Sequence, residues 1–241
     1  MLVVMPVVAA ALASAFDLDR AVKIGLVALA LSPMPPFLPS RHIRAGGEPS
    51  FAIGLLVATS LISIVYVPLA VALLKLLFDI PLSLSVSHVI VPIGWTVFIP
   101  LVVGLVIKRF APDFAMRVAG PAGRLASGLM LLGLIPLAVM SLARAMPLVG
   151  SGAFLAMLIL SVIGLGVGHL LGGRVPGDRA TLALATAARH PGVAMAIAKA
   201  NFPDQALVFP VVFLYVLLNV IVSVPYVRWN ARQSARLVPT P

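Results

Sequence analysis

The sequence predicts an all-α, polytopic membrane protein, and three observations carry that prediction. Of its 241 residues, 61% are hydrophobic and only 10% charged, with a mean hydropathy of +1.15, far from the balance of a soluble domain. Apolar runs close to the roughly twenty residues that cross a bilayer recur along the whole chain, separated by short basic or Pro/Gly-rich loops. The third observation is a contradiction inside one such run. The stretch Arg179 to Ala200 has the length of a membrane helix, yet Arg189, His190, Pro191 and Gly192 stand at its middle. Arg189 lies about 15 Å deep at helical rise, too far in for its side chain to reach water. A charge and a helix break at that depth require a protein-lined polar interior.

Composition narrows the rest. With no cysteine, disulfides, thiolate metal sites and cysteine nucleophiles are excluded. The formal charge of +10 sits in short loops between apolar spans, so it reports membrane orientation and not a nucleic-acid partner. The N-terminal run ends in Ala13-Ser14-Ala15, which resembles a signal cleavage site, but it lacks a basic leader, and a first transmembrane helix is the better reading.

About eight spans follow from the apolar runs. The first is 2–16, closed by Asp17-Leu18-Asp19-Arg20, where either aspartate suits the cap of the next helix. The second begins near Ala21 and meets Ser32-Pro33-Met34-Pro35-Pro36, then Pro39, through which no continuous helix survives. The third is 51–77, bent at Pro68; the fourth, 89–107, ends at Lys108-Arg109 and makes a hairpin with the fifth, 125–142. The sixth is 153–171, the seventh is the interrupted stretch, and the eighth is 206–227, with Tyr226 and Trp229 beside Arg228 as an interfacial belt.

Counting basic residues tests this topology. If Met1 is cytoplasmic and the spans alternate, eleven Lys and Arg fall on cytoplasmic segments, five on outer ones, and Arg189 alone inside, which accounts for all seventeen. That positive-inside bias supports the span count and predicts two cytoplasmic termini.

Spans one to three and six to eight share a plan: a plain helix, a helix broken near its middle, then a long helix. Under the alternating topology the two triplets enter from opposite sides, giving an inverted repeat with two discontinuous helices and a midplane site where the breaks cross. Ser32, Pro33, Pro35 and Pro36 at one break, and Arg189, His190, Pro191 and Gly192 at the other, are therefore the candidate substrate-binding residues. Pro191 suits the first position of a new half-helix because it has no N–H to leave unsatisfied. The N–H groups after it, together with the helix dipole, favour an anion, and Arg189 adds a full charge. The plainer alternative is two packing kinks in an ordinary bundle.

The segment ATAARHPGVAMAIA, the segment AGGEPSFAIGLL after the first break, and the proline-rich break itself together resemble the bile acid:sodium symporter family and its bacterial relatives among sodium-dependent transporters and arsenite exporters. The resemblance implies a core domain with two crossed broken helices moving against a panel domain. It divides the chain into residues 1–77 and 152–228 as core, 88–148 as a panel-like hairpin, and 229–241 as a cytoplasmic tail. Family members typically have ten helices, and the first two have no counterpart here; the expectation is an eight-helix variant or a truncated start. The resemblance also implies sodium ligands: a glutamate before the second break, a glutamine-asparagine pair at it, and polar residues around the first. In this sequence the glutamate position is Ala185, the pair is Arg189-His190, and the first-break positions fall on Leu38 and Pro39. The expectation is thus transporter architecture without retained sodium ligands, with Arg189 supplying the charge that sodium brings elsewhere.

Other motifs carry less. His190 is a candidate proton carrier, although the neighbouring cation favours its neutral form. His88 and His169 are expected at interfaces, and His42 belongs to a basic loop. Gly150-Ser151-Gly152 lacks any other element of a serine protease dyad. Gly164-Leu165-Gly166-Val167-Gly168 lies within a span and reads as close helix packing, not as a dinucleotide loop. Trp95 is a candidate to line a cleft between hairpin and core.

These readings give a non-enzyme: a secondary transporter of a small organic or other anion in the cell (inner) membrane, with no cofactor other than a sodium ion whose family ligand positions are not retained, and with the lipid bilayer and the anionic substrate as its partners. The rival is a non-transporting membrane protein that keeps the core fold.

Overall fold

A computed structural model describes residues 1–36, 48–78, 85–145 and 152–237. Leu38, Pro39 and Ser151 lie outside the described residues, as do the basic patch Arg41–Arg44 and Gly150. Every regular element among the described residues is helical, as the apolar runs and the absence of alternating patterns require.

Helix α1 (Val4–Ala15) leads into α2 (Arg20–Leu31), whose first turn is capped by the Asp19 carboxylate accepting from the Ala21 N–H at 2.8 Å. α3 (Pro49–Phe78) runs unbroken through Pro68. The fourth span is α4 (Ser87–Ile93), a π-helical turn (Gly94–Phe98) and α5 (Ile99–Phe110) in one rod. Pro92 and Pro100 bracket that turn, and each removes an N–H from the ladder, the kind of local deficit that widens a helix by one residue. α6 (Pro112–Ala145) pairs with α5. It begins well before Leu125, where the apolar run starts. Pro112 opens it, Asp113 stands in its first turn, and the arginines that mark the loop in the sequence are good helix formers.

Among the described residues, helices α7 (Ala153–Leu171) and α8 (Pro176–Ala187) pack together more extensively than any other pair. Gly164 and Gly168 on one face of α7, and Gly172 at its C-cap, lie four apart and meet Ala187, Ala183 and Arg179, four apart in reverse order on α8. A Cβ on Gly168 would come 2.5 Å from the Ala183 Cα, and one on Gly164 would come 2.7 Å from the Ala187 Cα. The interior glycine Gly166, by contrast, has nothing within 4 Å of an added Cβ. This is the small-residue packing expected of membrane helices. A further tie, Asn219 Nδ2 to Ser161 Oγ at 2.8 Å, joins α7 to α10 (Val208–Leu237). α10 continues as helix to Leu237, past the end of the apolar run at Val227, where the sequence suggested a tail from residue 229. Toward its C-terminal half, the His169 Nδ1 and Tyr226 hydroxyl are 2.9 Å apart, with the Trp229 ring tilted against the imidazole.

Among the described residues, four helices are long and apolar enough to cross a membrane: Pro49–Leu76, Ser87–Phe110, Ala153–Leu171 and Val208–Gln233. Together with the interrupted α2 and α8–α9 (α9, Pro191–Asn201) they make an all-α polytopic membrane protein. The core lies among α1, α2, α3, α7, α9 and α10, where Met5, Leu26, Leu29, Met157, Leu160 and Tyr215 are fully buried. The hairpin of α5 and α6 presents Val102, Leu105, Leu125 and Leu132 outward, an apolar face suited to lipid.

Candidate functional site at the crossing of two broken helices

The two interruptions meet. α2 ends at Leu31 because Pro33 and Pro35 cannot continue it, and residues 32–36 are non-helical. Ser32 closes the helix: its N–H donates to the Ala28 and Leu29 carbonyls, and its hydroxyl donates to Leu29 O at 2.8 Å. The second interruption covers Ala188, Arg189 and His190, one turn's worth of extended backbone between α8 and α9. Pro191 is the first residue of α9, as its missing N–H predicts, and Gly192 is the second, so the break itself is 188–190 and ends before the 190–192 of the sequence reading.

Contacts across the crossing have one direction. The His190 N–H donates to Pro33 O at 2.9 Å and also approaches Ser32 Oγ at 3.0 Å. Arg189 is 1% exposed. Its Nη1 donates to Ser32 O at 3.2 Å and its Nη2 to Thr186 O at 2.6 Å. Both acceptors are carbonyls at helix C-termini, which carry the negative end of the helix dipole. The guanidinium therefore lies against the ends of α2 and α8, and not over the N–H groups of α9 beside which the sequence placed it. The Tyr215 hydroxyl donates to Ala187 O at 2.6 Å and satisfies another such carbonyl. Among the described residues no carboxylate bonds Arg189, and its Nε–H has no partner. The charge is solvated by carbonyls but not neutralised.

The start of α9 is partly occupied by its own cap. His190 Nδ1 accepts from the Val193 N–H at 3.4 Å, and His190 Nε2 lies 3.0 Å from Thr96 Oγ1 on the π-turn. Gly192 is exposed beside this cap, and an added Cβ there would lie 3.2 Å from His190 Cε1 and 3.9 Å from Pro92 Cβ. Pro33 and Pro35 are buried and Pro36 is half-buried. The crossing thus unites Ser32, Pro33, Arg189 and His190 by direct bonds. Pro191 and Gly192 adjoin them as the start of α9, while Pro35 and Pro36 contribute backbone lacking donors.

Three participants are absent from the sequence-based set. Thr186 and Tyr215 satisfy or supply partners at the end of α8, and Thr96 joins the hairpin to His190. Thr186 stands three residues before Arg189, within reach of a side chain turning back. Tyr215 is a lone phenol in a long apolar run, and Thr96 lies between two prolines. Trp95, proposed for a cleft, is 69% exposed.

On the side of α2 facing α9 there is a half-open cavity of about 300 Å³, at the small end of ligand pockets, typically ~300–1,000 Å³. Val27, Leu31, Val71 and Ile197 make it apolar, and Lys23 and Asn201 supply polar groups.

Two interrupted helices bonded to each other inside a multi-pass helical bundle define a transporter-type core. A family profile described as the Sodium Bile acid symporter family matches residues 1–121 of the 241. The chain belongs to that family, which is a family of membrane transporters and not of enzymes. The match spans α1 to the start of α6; the break containing Arg189 lies beyond it. No curated protein matches the chain.

The family description names sodium, so the fit of a cation to this crossing can be tested on its residues. Ser32 O and Thr186 O, the carbonyls best placed to ligate one, already accept from Arg189. A second cation ~4 Å from the guanidinium would meet about 4 kcal/mol of repulsion at an effective dielectric near 20. Among the described residues no group of three or more His, Asp and Glu offers a metal site. Among the described residues of the crossing, Arg189 thus holds the carbonyls of Ser32 and Thr186.

Proposed function

We propose that the protein is a secondary transporter of a small organic anion in the cell membrane, with both termini cytoplasmic. Its resident cation at the crossing is Arg189 in place of bound sodium. The observation that carries this reading is the un-neutralised guanidinium bonded to the C-terminal carbonyls of both broken helices. It satisfies the backbone that the breaks leave unpaired and leaves a net positive charge, with one free donor, at mid-membrane. An anion approaching the start of α9 would feel that charge without displacing it, and Gly192 with the His190 ring would form the surface it meets. The apolar cavity between α2 and α9 suits the body of an organic anion, with Lys23 as a second charge. Alternating access would be movement of the core helices against the hairpin.

The test is uptake of a panel of radiolabelled aliphatic and aryl carboxylates and sulfonates into proteoliposomes, with choline as the only monovalent cation besides protons. Uptake above protein-free vesicles for some of the panel is expected. No uptake, or uptake only when sodium replaces choline, would overturn the reading.

A further inference from the structure

For a neutral imidazole, the bonds on either side give the His190–Thr96 bond a direction. His190 Nδ1 accepts the Val193 N–H, so in a neutral imidazole the proton resides on Nε2, which then acts as a donor. Thr96 has one hydroxyl proton, and it is given to the Pro92 carbonyl at 2.7 Å. Thr96 Oγ1 therefore accepts from His190 Nε2–H at 3.0 Å. The chain of donors runs from the cap of α9 through the threonine to a carbonyl of the hairpin's first helix.

Thr96 owes its place to the π-turn. Pro92 and Pro100 flank it, and the widened backbone is where a hydroxyl satisfies Pro92 O. Around this bond the same rod presents Val89, Ile93 and Val97, spaced four apart and buried, while Trp95 faces outward. An apolar face of that kind has no directional preference and permits sliding, whereas a hydrogen bond holds one register.

We infer that Thr96 is a positioning residue, a latch that holds the hairpin on the crossing through His190. Loss of its hydroxyl frees the rod carrying Val89, Ile93 and Val97 to leave α9. The role of this latch in a transport cycle rests on the anion-transporter reading above, but the latch itself is tested without any transported substrate.

The natural chain has no cysteine, so Ile93→Cys, at a fully buried position, reports exposure of the hairpin's inner face. Met157→Cys, fully buried in the core, reports loss of the fold. Each is reconstituted as full-length protein and treated with N-ethylmaleimide, alone and combined with Thr96→Val or Thr96→Ser. The expected result is that Thr96→Val raises the labelling rate of the hairpin thiol in Ile93→Cys roughly three- to tenfold, the factor for losing one neutral hydrogen bond. Thr96→Ser restores the original rate, and the core thiol in Met157→Cys stays unreactive throughout. An unchanged rate at the hairpin thiol in Thr96→Val overturns the latch. A rise at the hairpin and core thiols together also overturns it, because Thr96 would then be merely structural. Release of the hairpin thiol in a protein that takes up no anion keeps the latch and removes the transport reading, so the two fail separately.

Discussion

The two interruptions meet the same difficulty with opposite chemistry. The first, Ser32 to Pro36, is made of prolines, so it presents carbonyls and almost no donors; the second, Ala188 to His190, brings the donors. Arg189 and the His190 N–H supply what Ser32 O and Pro33 O lack. Neither break is tolerable in an apolar interior by itself, because each leaves backbone groups unpaired. Together they form a complementary pair, and a charge that looks anomalous in one helix becomes the partner of the other.

That complementarity can be broken from the donor side first. Arg189→Ala is expected to lower the thermal unfolding midpoint of detergent-solubilised protein more than any other change at the crossing. It orphans two buried carbonyls at roughly 1–3 kcal/mol each. Arg189→Lys should fall between, since an ammonium on a flexible stem lacks the planar fork that spans Ser32 O and Thr186 O. A midpoint for Arg189→Ala at or above that of the natural protein would contradict the pairing.

The next effect concerns the packing that holds the second break in place. Gly168→Ala forces backbone apart at 2.5 Å from Ala183 Cα and should cost about 2 kcal/mol or more, whereas Gly166→Ala, with open space around its Cβ, should stay within ~0.5 kcal/mol. Equal effects in chemical unfolding would show that α7 and α8 do not depend on close approach. From the acceptor side, Ser32→Ala removes the hydroxyl that bonds Leu29 O, but His190 N–H retains Pro33 O, so the loss should be about 1 kcal/mol. The smallest change is Gly192→Ala, whose methyl presses on the His190 ring at 3.2 Å and should move that imidazole's NMR resonances with little effect on stability. Unshifted resonances would mean that the ring is not seated on the cap.

Much of this was legible in the sequence. Pro33, Pro35 and Pro36 could not continue a helix, and Pro191 after a buried arginine marked a restart, so both interruptions and their rough positions followed from backbone chemistry alone. The direction of the Arg189 side chain did not. It is set by Ser32, 157 residues away, and a local reading naturally turned the charge toward the helix that follows it. Thr96 was hidden for the same reason: a threonine in an apolar run has meaning only once the register between the hairpin and α9 is known. The start of α6 was obscured because Arg117 and Arg124 suit a helix as well as a loop.

Cation dependence tests most directly the proposed role of Arg189 as the cation of this crossing. In proteoliposomes supplied externally with the best substrate of the carboxylate and sulfonate panel, uptake at constant ionic strength should be the same in sodium as in choline. The same comparison in Arg189→Ser, which vacates the carbonyls of Ser32 and Thr186, should show either no uptake or uptake that now requires sodium. Strict sodium dependence in the natural protein would contradict the account.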